Sequence, residues 1–250
     1  MPRLLDKVVF ITGASGDIGS ACAELCAKEG ALLVLHSYRH PERVERFLET
    51  HPTVKAVHIN CDGACERSIA VALRSALRRL KRDHIDVLVN NAGDLLERRA
   101  VQALDWEFVE RTLAANVKPA FFFTKHSLPY LRGNSSLIFI SSLTARWGKG
   151  DRRSAYGLAK GAVMGWAKSL ANELGPKNIR VNVITPGFIQ GNFHKKYTAR
   201  TVAKAHRMKN PLRRLGLPID VAGTVVFLAS DEASYINGVT IDVCGGDYIN

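Results

Sequence analysis

The sequence offers few signs of a membrane or an exported protein. Its 250 residues contain no apolar run of the roughly 18 residues that a membrane-spanning helix needs. No apolar signal-peptide core is present in the N-terminal residues Met1-Pro2-Arg3-Leu4-Leu5-Asp6-Lys7. These two absences argue against membrane insertion and secretion, and we expect a cytoplasmic protein.

Cysteine is also scarce. The five cysteines are an odd number in a chain without a secretory signal, which argues against a disulfide framework. Cys22 and Cys26 are four residues apart, as are Cys61 and Cys65, but no Cys-x-x-Cys pair or histidine partner accompanies them. We therefore expect small buried side chains here and no metal site.

Acidic residues are outnumbered by basic ones. The chain has 35 Lys and Arg against 23 Asp and Glu, which gives a formal net charge of +12. Such an excess suits nucleic acid, an anionic membrane or an anionic substrate. Because the sequence has no basic groove interleaved with aromatics and no nucleic-acid-binding motif, we do not expect nucleic acid as a partner.

The first apolar run leads into a glycine-rich turn. Residues 7–12 read as a buried strand, and a small-residue helix is predicted for 18–29. The turn between them is Gly13-Ala14-Ser15-Gly16-Asp17-Ile18-Gly19. A strand, a glycine turn and a helix in this order predict a dinucleotide site, where backbone N–H groups approach a pyrophosphate at the helix N-terminus.

The second strand, predicted for 31–36, ends where an NAD enzyme usually carries an acidic residue for the adenosine ribose. The residues that follow are Ser37-Tyr38-Arg39, without a carboxylate. Arg39, helped by Ser37, suits a 2′-phosphate, so we predict NADP as the cofactor and keep NAD as the alternative. In that alternative Arg39 is a plain surface residue, and Asp17 would repel a nearby phosphate.

Apolar segments alternate with helical patterns along the rest of the chain. Further strands are predicted at 54–60, 85–89, 137–140, 179–184 and 239–243. Polar or glycine-containing residues follow several of them, namely Asp62, Asn90-Asn91-Ala92-Gly93, Ser141-Ser142 and Pro186-Gly187. The alternation predicts parallel βαβ units in an α/β fold of Rossmann type, whose strand ends face the ligand crevice.

A proline lies inside the long helix that Asp105 is placed to cap. Pro119 has no N–H to donate to the carbonyl of Ala115, four residues earlier. We expect the helical ladder to open near Asn116 and to leave backbone groups free there.

The stretch that carries the predicted chemistry is Ser154-Ala155-Tyr156-Gly157-Leu158-Ala159-Lys160. Tyr156 and Lys160 are four residues apart, so a helix places both side chains on one face. A phenol with a pKa of about 10 is a poor acid-base catalyst at neutral pH, but a nearby ammonium lowers that pKa. We expect the pair to exchange a proton with a substrate oxygen. Taken alone, the same spacing also fits a solvated helix face.

Together these motifs resemble the short-chain dehydrogenase/reductase family over essentially the whole chain. The matching segments are Thr12-Gly13 to Gly19, Asp62, Asn90-Asn91-Ala92-Gly93, Asn116, Ser142, Tyr156-x-x-x-Lys160, Pro186-Gly187 and 238–246. Within the family, residues 211–216 and 229–238 look most similar to 3-oxoacyl-acyl-carrier-protein reductases and their relatives.

The resemblance implies a doubly wound, seven-stranded parallel sheet with helices on both faces. It implies one dinucleotide-binding domain over residues 1–250 and a symmetric homotetramer. It also implies hydride transfer between a nicotinamide and a carbonyl or alcohol carbon.

Residue roles follow from the same resemblance. Tyr156 would be the proton donor for reduction, and Lys160 would lower its pKa and bind the nicotinamide ribose. Ser142 would hydrogen-bond the substrate oxygen, and Asn116 would hold a water that links Lys160 to solvent. The expected cofactor-binding set is Gly13, Ser15, Gly16, Asp17, Ile18, Gly19, Ser37, Arg39, Asp62, Asn91, Ala92, Gly93, Tyr156, Lys160, Pro186, Gly187 and Ile189.

The chain departs from the family pattern at four places. Asp17 stands where glycine is usual, and Gly191 stands where a threonine often binds the nicotinamide carboxamide. The interval of 14 residues between Ser142 and Tyr156 is one longer than common. Cys244 replaces a frequent Asp or Asn.

In this family the region of about 188–218 forms a mobile lid over the substrate. Residues 192–218 contain eight Lys or Arg and no Asp or Glu. The eight are Lys195, Lys196, Arg200, Lys204, Arg207, Lys209, Arg213 and Arg214. A basic lid suggests an anionic or carrier-bound substrate, and a solvated basic helix is the alternative.

Three functions remain open on the sequence. The first is an NADP-dependent reductase of a 3-oxoacyl-type or similar ketone. The second is an NAD(P)-dependent dehydrogenase of a sugar, steroid or cyclic alcohol, and the third is a non-catalytic binding protein on the same fold. The joint presence of Asn116, Ser142, Tyr156 and Lys160 favours an enzyme that acts on a small-molecule ketone or alcohol.

Overall fold

The fold is built on a parallel β-sheet. The computed structural model describes residues 1–148 and 150–249. Its strands are β1 (Val8–Ile11), β2 (Leu32–Ser37), β3 (Ala56–Asn60), β4 (Ile85–Asn90), β5 (Leu131–Ile140), β6 (Arg180–Pro186) and β7 (Thr240–Val243). They lie in the order β3-β2-β1-β4-β5-β6-β7, and every neighbouring pair is parallel. This confirms the predicted doubly wound, seven-stranded sheet.

Helices cover both faces of the sheet. They are α1 (Asp17–Lys28), α2 (Pro41–Thr50), α3 (Glu66–Leu80), α4 (Trp106–Ser127), α5 (Leu143–Trp147), α6 (Ser154–Leu174), α7 (Asn192–Tyr197), α8 (Arg200–Lys209) and α9 (Pro218–Ala229). Because successive side chains of a strand point to opposite faces, β1 supplies both cores. Val9 and Ile11 pack with α1 and α9, whereas Val8 and Phe10 pack with α3, α4 and α6.

The positions of the strands can be predicted from the sequence because both faces of the sheet are buried. Every residue of β1 and of β2 is buried. A parallel sheet that is covered on both faces needs near-continuous apolar runs, and such runs were the signal used to predict the strands. The predicted strand ends lie within two residues of the observed ends, except at the start of β5.

The start of β5 was missed because its first half is polar. The strand begins at Leu131, ahead of the predicted position 137. Residues 132–134 are exposed, and the buried apolar stretch begins only later in the strand. The pairing with β4 also shifts register between Ile85 and Val87. Hydrophobic pattern alone therefore marks only the buried half of this strand.

Helix α4 runs without interruption through Pro119, so the opening predicted near Asn116 does not break the helix. Asp105 caps it as predicted and accepts the Phe108 N–H at 2.6 Å. In place of a break, Asn116 Nδ2 donates to the Thr112 carbonyl at 2.9 Å. A side-chain amide thus adds a donor in the turn before the proline.

The sheet changes direction beside β1, and this creates the ligand crevice. The chain builds β1, β2 and β3 outward on one side, and β4 then returns to pair with the other edge of β1. In doubly wound sheets, ligands bind outside the carboxyl ends of the strands at such a point. The turn after β1 and the segment after β4 therefore form the two central walls of the crevice.

Candidate active site

A cleft of about 1320 Å³ opens at this edge of the sheet. Most residues of the predicted site line it, namely Gly13, Ser15, Gly16, Asp17, Ile18, Arg39, Asp62, Asn91, Ala92, Gly93, Ser142, Tyr156, Lys160, Pro186, Gly187 and Ile189. Gly19 and Asn116 belong to the layer behind the lining, and Ser37 is turned away. The structure thus gathers residues from seven separate segments of the chain around one cavity.

The glycine turn after β1 is held from within. Gly13 has a φ of +65°, a region that favours glycine, and its N–H donates to Nδ1 of His36 at 3.1 Å. Burial lowers the pKa of His36 to about 4, which keeps the ring neutral and able to accept this bond. A side chain at Gly19 would overlap the Gly13 carbonyl, so α1 can approach the turn only with glycine at this position.

Thr12 and Asn91 fix the ends of β1 and β4 relative to each other. Thr12 Oγ1 accepts the N–H groups of Asn91 and Ala92 at 2.9 Å and 3.0 Å. Asn91 Nδ2 donates to the carbonyls of Thr12 and Gly13, both at 3.0 Å. The Asn91 side chain therefore shapes the wall of the cleft.

Asp17 lies at the start of α1 with its charge paired. Its Oδ1 accepts from Arg43 Nη2 at 3.1 Å, and the Asp17 side chain is 20% exposed. From the sequence, we expect the Asp17 carboxylate to repel a phosphate bound nearby. Because Arg43 sits beside the carboxylate, that repulsion is reduced.

The structure separates Ser37 from Arg39. Ser37 is fully buried, and its Oγ lies 2.7 Å from Nε2 of His58 on β3. Its side chain therefore does not reach the cleft, which corrects the predicted assistance to Arg39. Arg39 is exposed at the rim, with its guanidinium carbon 5.8 Å from the Tyr38 ring centre, and Asp62 lines the same end of the cleft.

Tyr156, Ser142 and Lys160 meet on one wall. Tyr156 and Lys160 are one turn apart on α6, and Lys160 Nζ lies 5.9 Å from the Tyr156 ring centre. Ser142 follows β5 and hydrogen-bonds to the Tyr156 side chain. Its Oγ also accepts the Thr144 N–H at 3.2 Å, so it caps α5 at the same time.

The charge states of the pair differ from the sequence prediction. Burial raises the pKa of Tyr156 to about 12, although the Ser142 hydrogen bond and the Arg153 charge act in the opposite direction. Burial also lowers the pKa of Lys160 to about 8, and its Nζ donates to the Ile140 carbonyl at 3.0 Å. The expected lowering of the Tyr156 pKa is therefore wrong for this structure, because lost hydration outweighs nearby charge. The phenol is a protonated donor here.

A buried acceptor lies behind the pair. Asn116 is 1% exposed, and its Nδ2 donates to the carbonyls of Asp94 and Thr112 at 2.7 Å and 2.9 Å. Its Oδ1 has no hydrogen-bond partner among the described residues. A side-chain carbon at Gly93 would lie 2.5 Å from Asn116 Oδ1 and 2.9 Å from Lys160 Nζ. Glycine at 93 thus leaves a polar space between these two groups.

Four arginines that line the cleft were not among the predicted site residues, namely Arg43, Arg98, Arg111 and Arg153. Arg153 lines the cleft three residues before Tyr156, a spacing that places both on one side of the N-terminal end of α6. Arg98 lines it from the segment after β4 and donates to the carbonyls of Tyr197 and Asp151 at 2.7 Å and 3.0 Å. The spacing of Arg153 was a usable signal, whereas Arg98 is placed by the fold.

The basic segment 192–218 contributes little charge to the cleft. Of its eight Lys and Arg, Lys196 alone lines the cleft among the residues that the structure describes. Lys196 Nζ lies 4.0 Å from Asp94 Oδ2. Positive charge inside the cleft therefore comes mainly from residues outside this segment.

Within residues 1–148 and 150–249, no group of three His, Cys, Asp or Glu side chains is arranged to hold a metal ion. In the same part of the chain, no helix has the length and hydropathy of a membrane span.

The chain is similar to known proteins over nearly its whole length. A family model described as enoyl-(acyl carrier protein) reductase matches residues 13–247. The chain belongs to the short-chain dehydrogenase/reductase family. Members of this family are NAD(P)-dependent dehydrogenases and reductases, and this chain is one of them, so the non-catalytic alternative is set aside.

Individual relatives span the full length of this short-chain dehydrogenase/reductase. It is 33% identical over 249 residues to the 3-oxoacyl-[acyl-carrier-protein] reductase of Thermotoga maritima, covering 98% of each chain. A solved short-chain dehydrogenase/reductase of Brucella melitensis, called a glucose/ribitol dehydrogenase, superposes with a TM-score of 0.92 at 31% identity, with complete coverage of both chains. A 7α-hydroxysteroid dehydrogenase complexed with NADH and 7-oxo glycochenodeoxycholic acid superposes at 0.90 and 28% identity, covering 98% of this chain and 95% of that one.

The residues present fit the nicotinamide dinucleotide that this family uses. Gly13 and Gly19 let the first turn pack without side chains, and Gly93 leaves open space beside Lys160. The orphaned Asn116 Oδ1 is aimed at that space. A cleft of about 1320 Å³ is also large enough for a dinucleotide with a small substrate.

The buried lysine generates a testable pH dependence. Lys160 has an ordinary pKa of 10.5, which falls to about 8 in the fold. Between these pH values the unfolded chain binds the extra proton, so the contribution of Lys160 to folding stability rises with pH, by about 3 kcal/mol over the whole window. We expect Lys160→Met to remove this rise. Urea unfolding midpoints at about pH 8 and about pH 10 measure it.

The control is Lys168→Met, an exposed lysine on the same helix. Its midpoint should change with pH as the wild-type midpoint does. Equal pH responses of wild type and Lys160→Met would contradict the depressed lysine pKa.

Proposed function

We propose that the chain reduces a ketone with NADPH and that Tyr156 donates the proton. The supporting observation is the buried, protonated phenol of Tyr156, hydrogen-bonded to Ser142 at the cleft wall. The nicotinamide, when bound, supplies the hydride. The hydroxyls of Ser142 and Tyr156 hold the ketone oxygen, and the Tyr156 proton moves to that oxygen as negative charge develops on it.

Lys160 and Asn116 restore the proton of the phenol in this scheme. Lys160 Nζ lies on the same wall and has a pKa of about 8, so it can pass protons near neutral pH. Asn116 Oδ1 and Lys160 Nζ flank the space above Gly93, which suits a bridging water. Lys160 also lines the cleft, and its second proposed role is to bind the nicotinamide ribose.

The preference for NADP rests on Arg39. No carboxylate follows β2, and the exposed Arg39 guanidinium lies at the cleft rim. A guanidinium pairs well with a 2′-phosphate. The remaining cofactor contacts proposed are those predicted from the sequence, without the side chain of Ser37. NAD is the alternative, because a similar hydroxysteroid dehydrogenase binds NADH.

The proposed substrate is a 3-oxoacyl-type ketone that carries a negative charge. Arg98 and Arg153 both line the cleft, and burial, followed by the charge of Arg98, lowers the pKa of Arg153. Two like charges held together in a cleft favour an anion between or beside them. The likeness to a 3-oxoacyl-[acyl-carrier-protein] reductase supports this substrate class.

A second candidate is oxidation of a secondary alcohol by the same residues. The solved relative with a bound oxo-steroid acid favours a cyclic or steroid alcohol, and the solved relative called a glucose/ribitol dehydrogenase favours a sugar. Oxidation uses the same Tyr156 as a base, so both directions share one site. The likeness to a 3-oxoacyl-[acyl-carrier-protein] reductase keeps the reductase as the first candidate.

We also propose one dinucleotide-binding domain whose lid is residues 188–218, assembled as a homotetramer. Phe121 on α4 and Leu158 on α6 are 42% and 55% exposed. Large apolar side chains exposed on neighbouring helices support a contact between subunits.

Replacing Tyr156 with Phe removes only the reactive hydroxyl. We expect the rate of NADPH-dependent reduction of ethyl 3-oxobutanoate to fall about 10²- to 10⁴-fold, because the general acid is lost. NADPH binding, followed by fluorescence, should persist. Tyr130→Phe, which removes a hydroxyl away from the cleft lining, should leave the rate unchanged. A Tyr156→Phe enzyme with near-wild-type turnover would defeat the proposed function.

Replacing Arg39 with Leu tests the cofactor preference. We expect kcat/KM for NADPH to fall about 10- to 100-fold through loss of a charge-assisted contact, with little change for NADH. The control is Arg74→Leu on the exposed face of α3. Equal losses with both cofactors would refute the role of Arg39.

Replacing Arg153 with Gln tests the charge of the substrate. The matched probes are 3-oxobutanoate and its neutral ethyl ester. We expect kcat/KM for the acid to fall about tenfold or more and that for the ester to change little, because only the acid gains from the guanidinium. Lys195→Gln, exposed and outside the cleft lining, is the control. Equal losses on both probes would show a merely structural role.

A further inference from the structure

Two of the departures from the family pattern touch each other across the cleft. Asp17 belongs to the wall formed by the glycine turn and α1, and Asn192 begins α7 on the opposite wall. The Asn192 N–H donates to Asp17 Oδ2 at 2.5 Å, and Asn192 Nδ2 donates to Asp17 Oδ1 at 3.0 Å. One carboxylate thus bridges the first turn of the fold and the first helix of the lid, residues 188–218.

Gly191, the residue before Asn192, leaves the space that the Asp17 carboxylate occupies. A side-chain carbon at position 191 would overlap Asp17 Oδ2 and would lie 2.9 Å from Asp17 Cγ. The backbone at Gly191 is extended, so glycine is needed here for space and not for its torsion angles. The carboxylate on one wall therefore occupies the volume that a threonine side chain would need on the other.

Arg43 completes the arrangement. Its Nη2 donates to Asp17 Oδ1 at 3.1 Å, so three donors converge on one carboxylate. Hydrogen bonds to an ionised acceptor are about twice as strong as neutral ones. The hydrogen bonds of Asp17 therefore hold the glycine turn and the start of α7 together more strongly than neutral hydrogen bonds would.

The two helices of the lid have few apolar contacts. Helices α7 and α8 contain no buried residue, so apolar packing stabilises them weakly. Their other contacts include polar ones near the end of α7, where Arg98 donates to the Tyr197 carbonyl at 2.7 Å and to Thr198 Oγ1 at 3.1 Å, and Tyr197 Oη donates to Asp94 Oδ1 at 3.0 Å. In α8, His206 Nε2 lies 3.1 Å from Asp247 Oδ2. The contacts of Arg98 and Tyr197 hold the C-terminal end of α7, whereas Asp17 holds its N-terminal end, so losing the Asp17 contact should change how often that end of the lid opens.

We propose that Asp17 is a positioning residue that latches the lid to the phosphate-binding turn. The latch consists of Asp17, Asn192 and the space left by Gly191, and its release opens the cleft mouth for exchange of the dinucleotide. The effect on exchange rests on the cofactor role proposed above. The latch itself is a property of the chain without cofactor, so it can be tested separately.

The test uses the lysines and arginines of the lid as trypsin sites. In the cofactor-free protein, we expect Asp17→Gly to increase cleavage within residues 195–209 about tenfold or more, the cost of losing charged hydrogen bonds. Fragments are mapped by mass spectrometry. Dissociation of NADPH, followed by stopped-flow fluorescence, should accelerate in the same variant. Asp17→Asn, which keeps one acceptor oxygen, should lie between the wild type and Asp17→Gly.

Glu42→Gly is the matched control, because Glu42 is also an acidic residue in the first turn of a helix. It should leave cleavage of the lid unchanged. Cleavage spread over the whole chain in Asp17→Gly would indicate general unfolding and would overturn the latch. Lid cleavage and NADPH dissociation equal to wild type would overturn it as well.

A double-mutant cycle addresses the pairing of positions 17 and 191. Gly191→Thr alone should loosen the lid, because the new side chain displaces the Asp17 carboxylate. Added to Asp17→Gly, the same substitution should cause no further loosening, since the space is then open. Equal effects of Gly191→Thr on both backgrounds would refute the contact.

None of these measurements depends on turnover, so an inactive enzyme would challenge the proposed function and leave the latch result intact.

Discussion

The structure depends on how the ends of β1 and β4 are tied together. Thr12 Oγ1 accepts two backbone N–H groups from the segment after β4, and Asn91 Nδ2 returns two bonds to the carbonyls after β1. Neighbouring parallel strands that diverge at their ends would otherwise leave these backbone groups unpaired. Because the bonds are internal, the width of the crevice is set before any ligand arrives. The positions of Gly13, α1 and Gly93 follow from that width.

Burial sets the chemistry on the wall opposite the glycine turn. Tyr156 and Lys160 are both nearly inaccessible to solvent. Burial raises the pKa of Tyr156 and lowers that of Lys160, and both shifts favour the neutral form of the side chain. The simple expectation that an ammonium makes its phenol neighbour acidic omits this loss of hydration. The lysine is instead held where it titrates near neutral pH, and the phenol keeps its proton. A pair in this state is prepared to give a proton to a developing alkoxide.

Sequence patterns predicted the fold well because both faces of the sheet are covered. Buried strands such as β1 read as apolar runs, whereas the exposed start of β5 at Leu131 carries no such signal. The candidate site was predicted from motifs anchored at strand ends, which the fold brings to one edge. Ser37 was misplaced because its direction depends on pairing between β2 and β3, where its Oγ meets His58. Arg98 was not predicted, because no sequence motif or hydrophobic periodicity marks an arginine in an irregular loop.

Asp17 and Gly191 are coupled in the fold, although nothing in the sequence connects them. On the sequence they are two unrelated departures, one that adds a carboxylate and one that removes a side chain. In the fold they share one volume, because the carboxylate lies where a side chain at 191 would stand. Each change would be unfavourable alone: a carboxylate beside a threonine would clash, and a glycine facing a glycine would leave the start of the lid without a partner. Together they exchange a packing contact for hydrogen bonds to Asn192, which suits a lid that has few apolar contacts to lose.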